Sequence, residues 1–586
     1  AVYQYTDTPH IFDPPFNFKI EDFFVPILLD EKNANTFDNE TLFFFPFNKS
    51  DKAPVVANQE IHNLIIKLNN PLLFLSNLKS IYWIDKTTLN SGCYKNEIVQ
   101  KDNYKLISLI SEIDNTTNKE TFMVFEKIVD EINDVVEHIK QQGHKINIAF
   151  KIDNKQIYSE TKYPAYCFFP TKEYTGLRFI VQAPFLLTNN REKIKSDETW
   201  NINLIQEIAN LTSESINIFK KENLLGINIY DVFPIVKSDF TNGNQFITVY
   251  EKVLEKFKSS EKLLPSNDGD FISAEEAFMG RGKDFIELFD SDTLYSLFNK
   301  KYFWILNSIT ENSVLGKYLI NDIGIGYRNP RDFGKYLKDN KQFFEDKTDD
   351  WLIKLYIFLS DKQYLWQKYS YQTPEYRDIP FIRLEDNHHT NPFDENGKPK
   401  VFLSNDSHES LQIVKRSLIS NETSYKFLKD LGLKNPEVGD EIIQVFTSKY
   451  KSHNEISFKE SIKDLQILCD KIQHCTSFKR DEIIVKLKSM KFLIGNNFSN
   501  TLTSYFKPSE LYLTEEYSQN KDVGVYFEGN NDVYYLDSIY SKNIKNFEIL
   551  LGLLDFKREI RTIKKDVDTY GYVYYRNELI NGKYYK

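Results

Sequence analysis

Cysteine is scarce in this chain: Cys93, Cys167, Cys469 and Cys475 are all it has in 586 residues. They lack zinc-finger spacing and are too few for a disulfide framework, which predicts folding in a reducing cytoplasm. Long apolar runs are missing too. No stretch approaches the length of a membrane span, and AVYQYTDTPH at the start shows no basic-then-apolar signal pattern. A soluble, cytoplasmic protein is expected. Basic residues are outnumbered, 74 Lys and Arg against 84 Asp and Glu, for a net charge of −10. No Lys/Arg stripe stands out, so direct nucleic-acid binding is not favoured.

Several catalytic signatures are also absent. The sequence has no P-loop, no G-x-S-x-G elbow and no H-E-x-x-H. The loop DEKNANTFDNE lacks the glycine and terminal glutamate of a calcium loop. His388 and His389 stand beside Glu385, Asp386 and Asp394. Neighbouring histidines on a strand or turn point apart, so LEDNHHTNPFDENGKP is expected to be a solvated hairpin loop, with no metal site. Cys469, His474 and Cys475 lack a second close ligand pair and are expected on a buried helix.

What is present is globular. Apolar residues make up 41% and aromatics 15%, enough to bury several cores, and the length predicts two to four domains. FNFKI (16–20), FFVPILL (23–29) and TLFFFPF (41–47) are predicted strands. Residues 58–68 have helical spacing, and 71–84 reads as a helical turn followed by a strand. Residues 101–113 and 147–155 alternate as strands. Phe122, Phe125, Ile128, Ile132, Val135, Val136 and Ile139 recur at helical spacing, which predicts a helix over 121–142. YCFFPTKEYTGLRFIVQAPFLLTNNREKI (166–194) is predicted as a β-hairpin. Its strands are CFF and LRFIVQAPFLL, and a helix capped by Thr188, Asn189 or Asn190 is predicted to start near Arg191. A second amphipathic helix is predicted over 200–219.

The second half repeats weakly. KLLPSNDGDFISAEEAF, IPFIRLEDNHHTNPFDENGKPKVFL and MKFLIGNNFSNTLTSYFKPSELYL are each a short apolar strand, a polar turn and a second strand. Each leads to a helical region, FIELFDSDTLYSLF, SLQIVKRSLI and IKNFEILL, and then to an apolar–Gly–apolar step, DIGI, DLGL and LLGL. The long period points to three α+β modules in series rather than a solenoid. Asp322-Ile-Gly-Ile-Gly326 matches D-x-G-x-G literally, but its alignment with DLGL and LLGL predicts a helix-end turn.

The order AVYQYTDTP, FNFKI, TLFFFPF and LLFLSNLKSIYWI resembles the later part of the ATP-binding domain of sacsin-like proteins. These belong to the GHKL ATPases, whose nucleotide-binding fold is shared with the ninety-kilodalton heat-shock chaperones. The resemblance implies a mixed α/β, multidomain (α+β) protein. Residues 1–90 would be the C-terminal remnant of a Bergerat-type ATP-binding domain. Residues 91–262 would be a middle-like α/β domain, and 263–378, 379–489 and 490–586 three repeated α+β modules. In the family a G-x-G-F segment, the water-activating carboxylate, the magnesium-holding Asn and the D-x-G-x-G lie upstream of the equivalent of AVYQYTD, so the chain is expected to start inside the nucleotide domain. ATP and Mg2+ are implied for the intact protein, with ATP hydrolysis there and not in this chain alone. Arg191 in FLLTNNREKI stands at the family's phosphate-reaching arginine and is the implied catalytic residue. Thr41 matches the threonine beside the adenine pocket, although Glu40 replaces the usual glycine. Lys195 stands where the heat-shock branch has a glutamine. The implied role is an ATP-driven clamp that remodels protein clients, a chaperone-like activity, with a homodimer left open. The alternatives are a protein-binding scaffold with a regulatory or degenerate nucleotide domain, or a bacterial defence component.

Overall fold

The computed structural model describes residues 2–13, 15–29, 40–113, 116–129, 144–157, 161–240, 243–368, 374–405, 411–450, 456–500, 502–519 and 521–560. The chain is mixed α/β and divides into two compact units. One comprises Ala1–Gly282 with Lys301–Arg328, the other Lys283–Lys300 with Asn329–Lys586. Most of the loop DEKNANTFDNE and residues 130–143 lie outside the described residues.

The first unit begins with a four-stranded antiparallel sheet. Its strands are β1 (His10–Asp13), β2 (Phe16–Glu21), β3 (Val25–Leu28) and β4 (Leu42–Phe44), in the order β3-β2-β1-β4. The register sets Ile11 beside Phe18 and Phe43, and Phe18 beside Leu28. One face therefore carries an apolar row. Phe16, Leu28 and Phe43 on it are exposed. The helix Pro54–Ile65 follows, with proline at its first turn, where the missing N–H costs nothing.

The main sheet of this unit has nine strands: β5 (Ser80–Asp85), β6 (Asn90–Gln100), β7 (Lys105–Ile113), β8 (Thr116–Val129), β9 (His144–Asp153), β10 (Gln156–Ile157), β11 (Pro164–Cys167), β12 (Phe169–Tyr174) and β13 (Ile180–Gln182). Their order is β12-β11-β13-β9-β8-β7-β6-β5, with β10 pairing on β9. The helix expected over 121–142 is thus a strand as far as Val129. The reason is that both faces of β8 are covered. Met123 and Phe125 face the helix Thr199–Lys221, while Phe122 and Val124 pack with Leu72, Leu73 and Tyr94 on the other side. A strand buried on both faces loses its alternation and becomes an unbroken apolar run, in which chance helical spacings arise. The core against Thr199–Lys221 is aromatic. Phe150 stacks on Phe179 at 4.5 Å between ring centres and meets Phe219 edge-on at 4.9 Å.

The three repeated stretches share one strand order. In the first, β14 (Leu264–Pro265) pairs antiparallel with β15 (Phe271–Ile272), and Ser266 bridges antiparallel to Ile305. Next to Ile305, β17 (Phe303–Trp304) lies parallel to β16 (Ala277–Gly280), which also takes β18 (Gly326–Arg328) in parallel. In the second, β19 (Ile382–Arg383) pairs with β20 (His389–Thr390), Leu384 bridges antiparallel to Val414, and Ile413 bridges parallel to Phe402. Leu403 N–H then donates to Lys434 O at 3.0 Å. In the third, β21 (Leu493–Asn497) pairs antiparallel with β22 (Thr503–Phe506) and with β24 (Tyr534–Leu536). β24 lies parallel to β23 (Leu511–Tyr512), and Tyr512 bridges parallel to Lys557. Each is hairpin strand, first strand, returning strand, inner strand and outer segment, with the same relative directions through the inner strand and a parallel outer strand in the first and third. The short apolar strands fix little by propensity; what the three share is the chain order of first strand, hairpin strand, inner strand, returning strand and outer segment.

Two glycine steps behave as expected. Gly324 (φ 93°) and Gly432 (φ 116°) end helical segments in the left-handed region. Gly552 does not: it lies inside the helix Glu548–Leu553. Gln412 to Val414, in the predicted helix SLQIVKRSLI, is extended instead, and only Arg416–Ile419 is helical. Close approach rather than φ fixes Gly316, where an added Cβ would sit 1.9 Å from the Thr310 carbonyl oxygen. Gly316→Ala is expected to lower stability by about 1–3 kcal/mol or more, read by urea unfolding.

Candidate functional site

The region around Arg191 is built from two hairpins rather than one. β11 turns directly into β12 through the single residue Phe168, held at φ 62°. PTKEY, expected as the loop, is therefore the second strand. LRFIVQAPFLL supplies β13, which runs parallel to β11 and antiparallel to β9. The sequence signal misled because Pro170 and Lys172 mark an edge strand as readily as a turn.

The second hairpin carries Arg191. Leu187 bridges antiparallel to Ile194. Thr188 N–H donates to Lys193 O at 2.8 Å, and Lys195 N–H to Leu186 O at 3.0 Å. Within the turn, Arg191 N–H donates to Thr188 O at 2.8 Å, and Arg191 sits at φ 58°, a left-handed conformation uncommon outside glycine and asparagine. The helix does not start here. It starts at Thr199, after Glu198, and the expected caps serve the turn instead: Thr188 Oγ1 donates to Asn190 Oδ1 at 2.6 Å.

Three braces hold this turn. Lys172 N–H of β12 donates to Glu192 O at 2.7 Å. Ile194 N–H donates to Glu173 Oε2 at 3.2 Å. Asn201, fully buried on the helix, takes Leu186 N–H at 2.8 Å and gives its amide hydrogens to Leu186 O and Lys195 O, each at 2.9 Å. No compositional signal marks Asn201, since asparagine in a helix ordinarily reads as weak propensity. Asn201→Ala is expected to cost about 2–3 kcal/mol, because it strands backbone groups at the base of the turn. Amide exchange at Leu186 and Lys195 should quicken with it.

Arg191 itself is exposed, and its guanidinium has no hydrogen bond or ion pair with any described residue. The carboxylate beside it is already engaged: Glu192 pairs with Lys172 at 2.5 Å. Lys193 and Lys195 are exposed on the same turn. Burial pushes the nearby Cys167 thiol up, opposed by the Phe185 carbonyl contact and the Arg191 charge, which leaves it a poor nucleophile. The turn, with its backbone held in place, can therefore present a cation to an anionic group, but nothing on it does bond-making chemistry of its own.

Thr41 lies just before β4, exposed, and its hydroxyl donates to Asp13 Oδ1 at 2.8 Å. No described contact joins it to Arg191. A cleft of about 590 Å3 opens elsewhere in this unit, lined by residues 66–72 and by Tyr94, Leu109, Glu120 and Lys151 among others. It includes neither residue. His388 and His389 do not converge. His388 is exposed, whereas His389 is half-buried and accepts from Arg383 Nε at 2.9 Å, so that part of the segment is a packed hairpin rather than a solvated one. Among the described residues no group of three or more His, Cys, Asp or Glu side chains is arranged to hold a metal ion. No described helix is long and apolar enough to cross a membrane.

No protein-family model matches the chain. Among curated proteins, it is similar to Protein NO VEIN of Arabidopsis thaliana, with 23% identity over 304 residues. The match takes in 46% of this chain and spans about a tenth of the relative's length, 10%.

Proposed function

We propose that this chain is part of a sacsin-like GHKL ATPase, a nucleotide-driven clamp in which Arg191 meets the terminal phosphate of ATP. The observation that carries the reading is the braced turn, which holds an unpaired guanidinium outward at a hairpin tip. The braces fix the backbone of Arg191, and a guanidinium not engaged by described protein groups can give its donors to a phosphoryl group as negative charge develops on it. The resemblance supplies the ligand: ATP with Mg2+, bound by a nucleotide domain of which residues 1–90 form the later part and Thr41 lines the adenine side. The test is ATP turnover in a chain extended upstream through the glycine-rich segment, with and without Arg191→Ala. Unchanged turnover overturns the role of Arg191. Turnover by residues 1–586 alone overturns the split of the site.

A second reading has its own support. Three modules of one strand order in series suit a scaffold that offers repeated surfaces to a protein partner or client, with the nucleotide domain regulatory. A partner held equally with and without ATP, and insensitive to Arg191→Ala, favours it. The defence-component reading has no residue to carry it.

A further inference from the structure

The cleft of about 590 Å3 in the first unit lies against one face of the nine-stranded sheet. The register shows which lining side chains share that face. Tyr94 of β6 stands opposite Ser111 of β7, and Ser111 opposite Asn118 of β8. Two residues along, Leu109 stands opposite Glu120, and Lys151 of β9 stands opposite Phe122. Leu109, Phe122 and Ala149, at the same parity, pack on the side away from the helix Thr199–Lys221. β6 to β9 are interior strands, paired on both edges. Their backbone groups are used within the sheet, so a molecule lying on this face is met by side chains.

The two loop segments of the cleft are pinned. Tyr94 OH donates to Ile65 O at 2.7 Å and Asn96 Nδ2 to Leu72 O at 3.2 Å, which ties down residues 66–72. Tyr163 N–H donates to Leu177 O at 2.9 Å, and Tyr163 O accepts from Thr175 Oγ1 at 2.6 Å, which ties down residues 161–164. The cleft is therefore formed before a ligand arrives, and its size is that of a small-molecule site.

The lining groups select the ligand. Most of their charges already have partners. Lys151 Nζ donates to Glu120 Oε1 at 2.6 Å, Lys95 pairs with Glu112 at 3.3 Å and Lys162 with Asp239 at 2.7 Å. Lys67, exposed, is the one lining lysine without a carboxylate partner among the described residues. An anion calls for several unpaired donors and a cation for an unpaired carboxylate, and the lining supplies neither. What it leaves unpaired is neutral. The side chains of Asn69, Ser111, Asn118 and Tyr163 have no hydrogen-bond partner among the described residues. Hydroxyl and amide groups both donate and accept, and ligand hydroxyls answer them because they do the same. Tyr163 is half-buried and adds aromatic surface on which C–H groups can pack.

We infer that this cleft binds a neutral carbohydrate, of the size of a di- or trisaccharide, through Asn69, Ser111, Asn118 and Tyr163. The cleft contains neither Arg191 nor Thr41, so the inference stands apart from the ATPase reading. Saturation-transfer NMR on the 586-residue chain tests it, with maltotriose, cellotriose, mannotriose and chitotriose as probes. Inorganic pyrophosphate and blocked trialanine are the anionic and peptide probes. At least one trisaccharide should bind, and Ser111→Val combined with Asn118→Ala should weaken it at least about tenfold. The circular dichroism spectrum and unfolding midpoint should not change. Asn69→Ala, exposed and off the sheet, should by itself weaken binding at least about threefold. Lys193→Ala, on the Arg191 turn, should leave it unaltered. A chain that binds none of the trisaccharides overturns the inference. So does saccharide binding that both the double variant and Asn69→Ala leave undiminished. Pyrophosphate or peptide binding that the double variant removes, without saccharide binding, would assign the cleft to another ligand and overturn it as well.

Discussion

Replacing Arg191 by alanine is expected to lower ATP turnover of the upstream-extended chain by about 10²–10³-fold while ATP affinity changes little. The split follows from where the charge acts. A cation that meets the terminal phosphate only after closure contributes in the transition state and little in the ground state, so kcat falls and KM does not. Arg191→Lys should recover only part of the loss, since an ammonium cannot offer two parallel donors to the phosphoryl oxygens. The fold should be indifferent to either change. The side chain is exposed and without partners among the described residues, and the turn is braced by backbone groups and by Glu192, Glu173 and Asn201 instead. A fall in turnover accompanied by a lower unfolding midpoint would point to a damaged turn rather than a lost charge.

Arg383→Ala is expected to destabilise the second unit by about 3–5 kcal/mol. Arg383 is 5% exposed and bonds Asp349 Oδ1 at 2.6 Å, His389 Nε2 at 2.9 Å, Phe344 O at 3.2 Å and the Lys347 carbonyl. Removing it leaves two carbonyls and an imidazole nitrogen without donors in a closed space. The same cluster sets a pH dependence. Burial, then the Arg383 charge, hold the His389 pKa down to about 4. Burial works against the Asp349 carboxylate, but hydrogen bonds from Lys415, Ser417 and Arg383 keep it low, at about 2.

Both folded values lie below the unfolded ones, so the unfolded chain takes up each proton first as pH falls. The His389 contribution is complete above about 6.5 and is lost between about 6.5 and 4. The Asp349 contribution is complete above about 3.9 and is lost toward about 2. Urea unfolding from pH 7 to pH 4 should show the first loss, and His389→Gln should flatten it. A slope unchanged by that substitution would assign the loss to other groups.

Element types were legible where one face of an element meets water. Residues 200–219 show as a helix because buried positions such as Leu204, Ile208 and Leu211 recur with its period, and FNFKI and TLFFFPF show as strands through their aromatic and β-branched residues. Legibility failed where tertiary packing covers both faces. β8 reads as a helix from Phe122, Phe125 and Ile128, because its second face is covered by Leu72 and Leu73, distant in sequence. It failed also at Arg191. Thr188, Asn189 and Asn190 are good caps and equally good turn formers, and only the pairing of Leu187 with Ile194 decides between the two.

By itself the sequence determined much of the element chemistry and the recurrence. Apolar spacing set most of the first. The recurring strand–turn–strand pattern set the second, including the left-handed ends at Gly324 and Gly432. Tertiary structure alone decided which strands become neighbours and which groups are left over. Strand order depends on contacts far apart in the chain, such as Ser266 with Ile305 and Leu384 with Val414. The exposed guanidinium of Arg191 is what remains after Glu192 beside it has paired with Lys172. No local pattern records that remainder, because it is a property of the whole set of contacts.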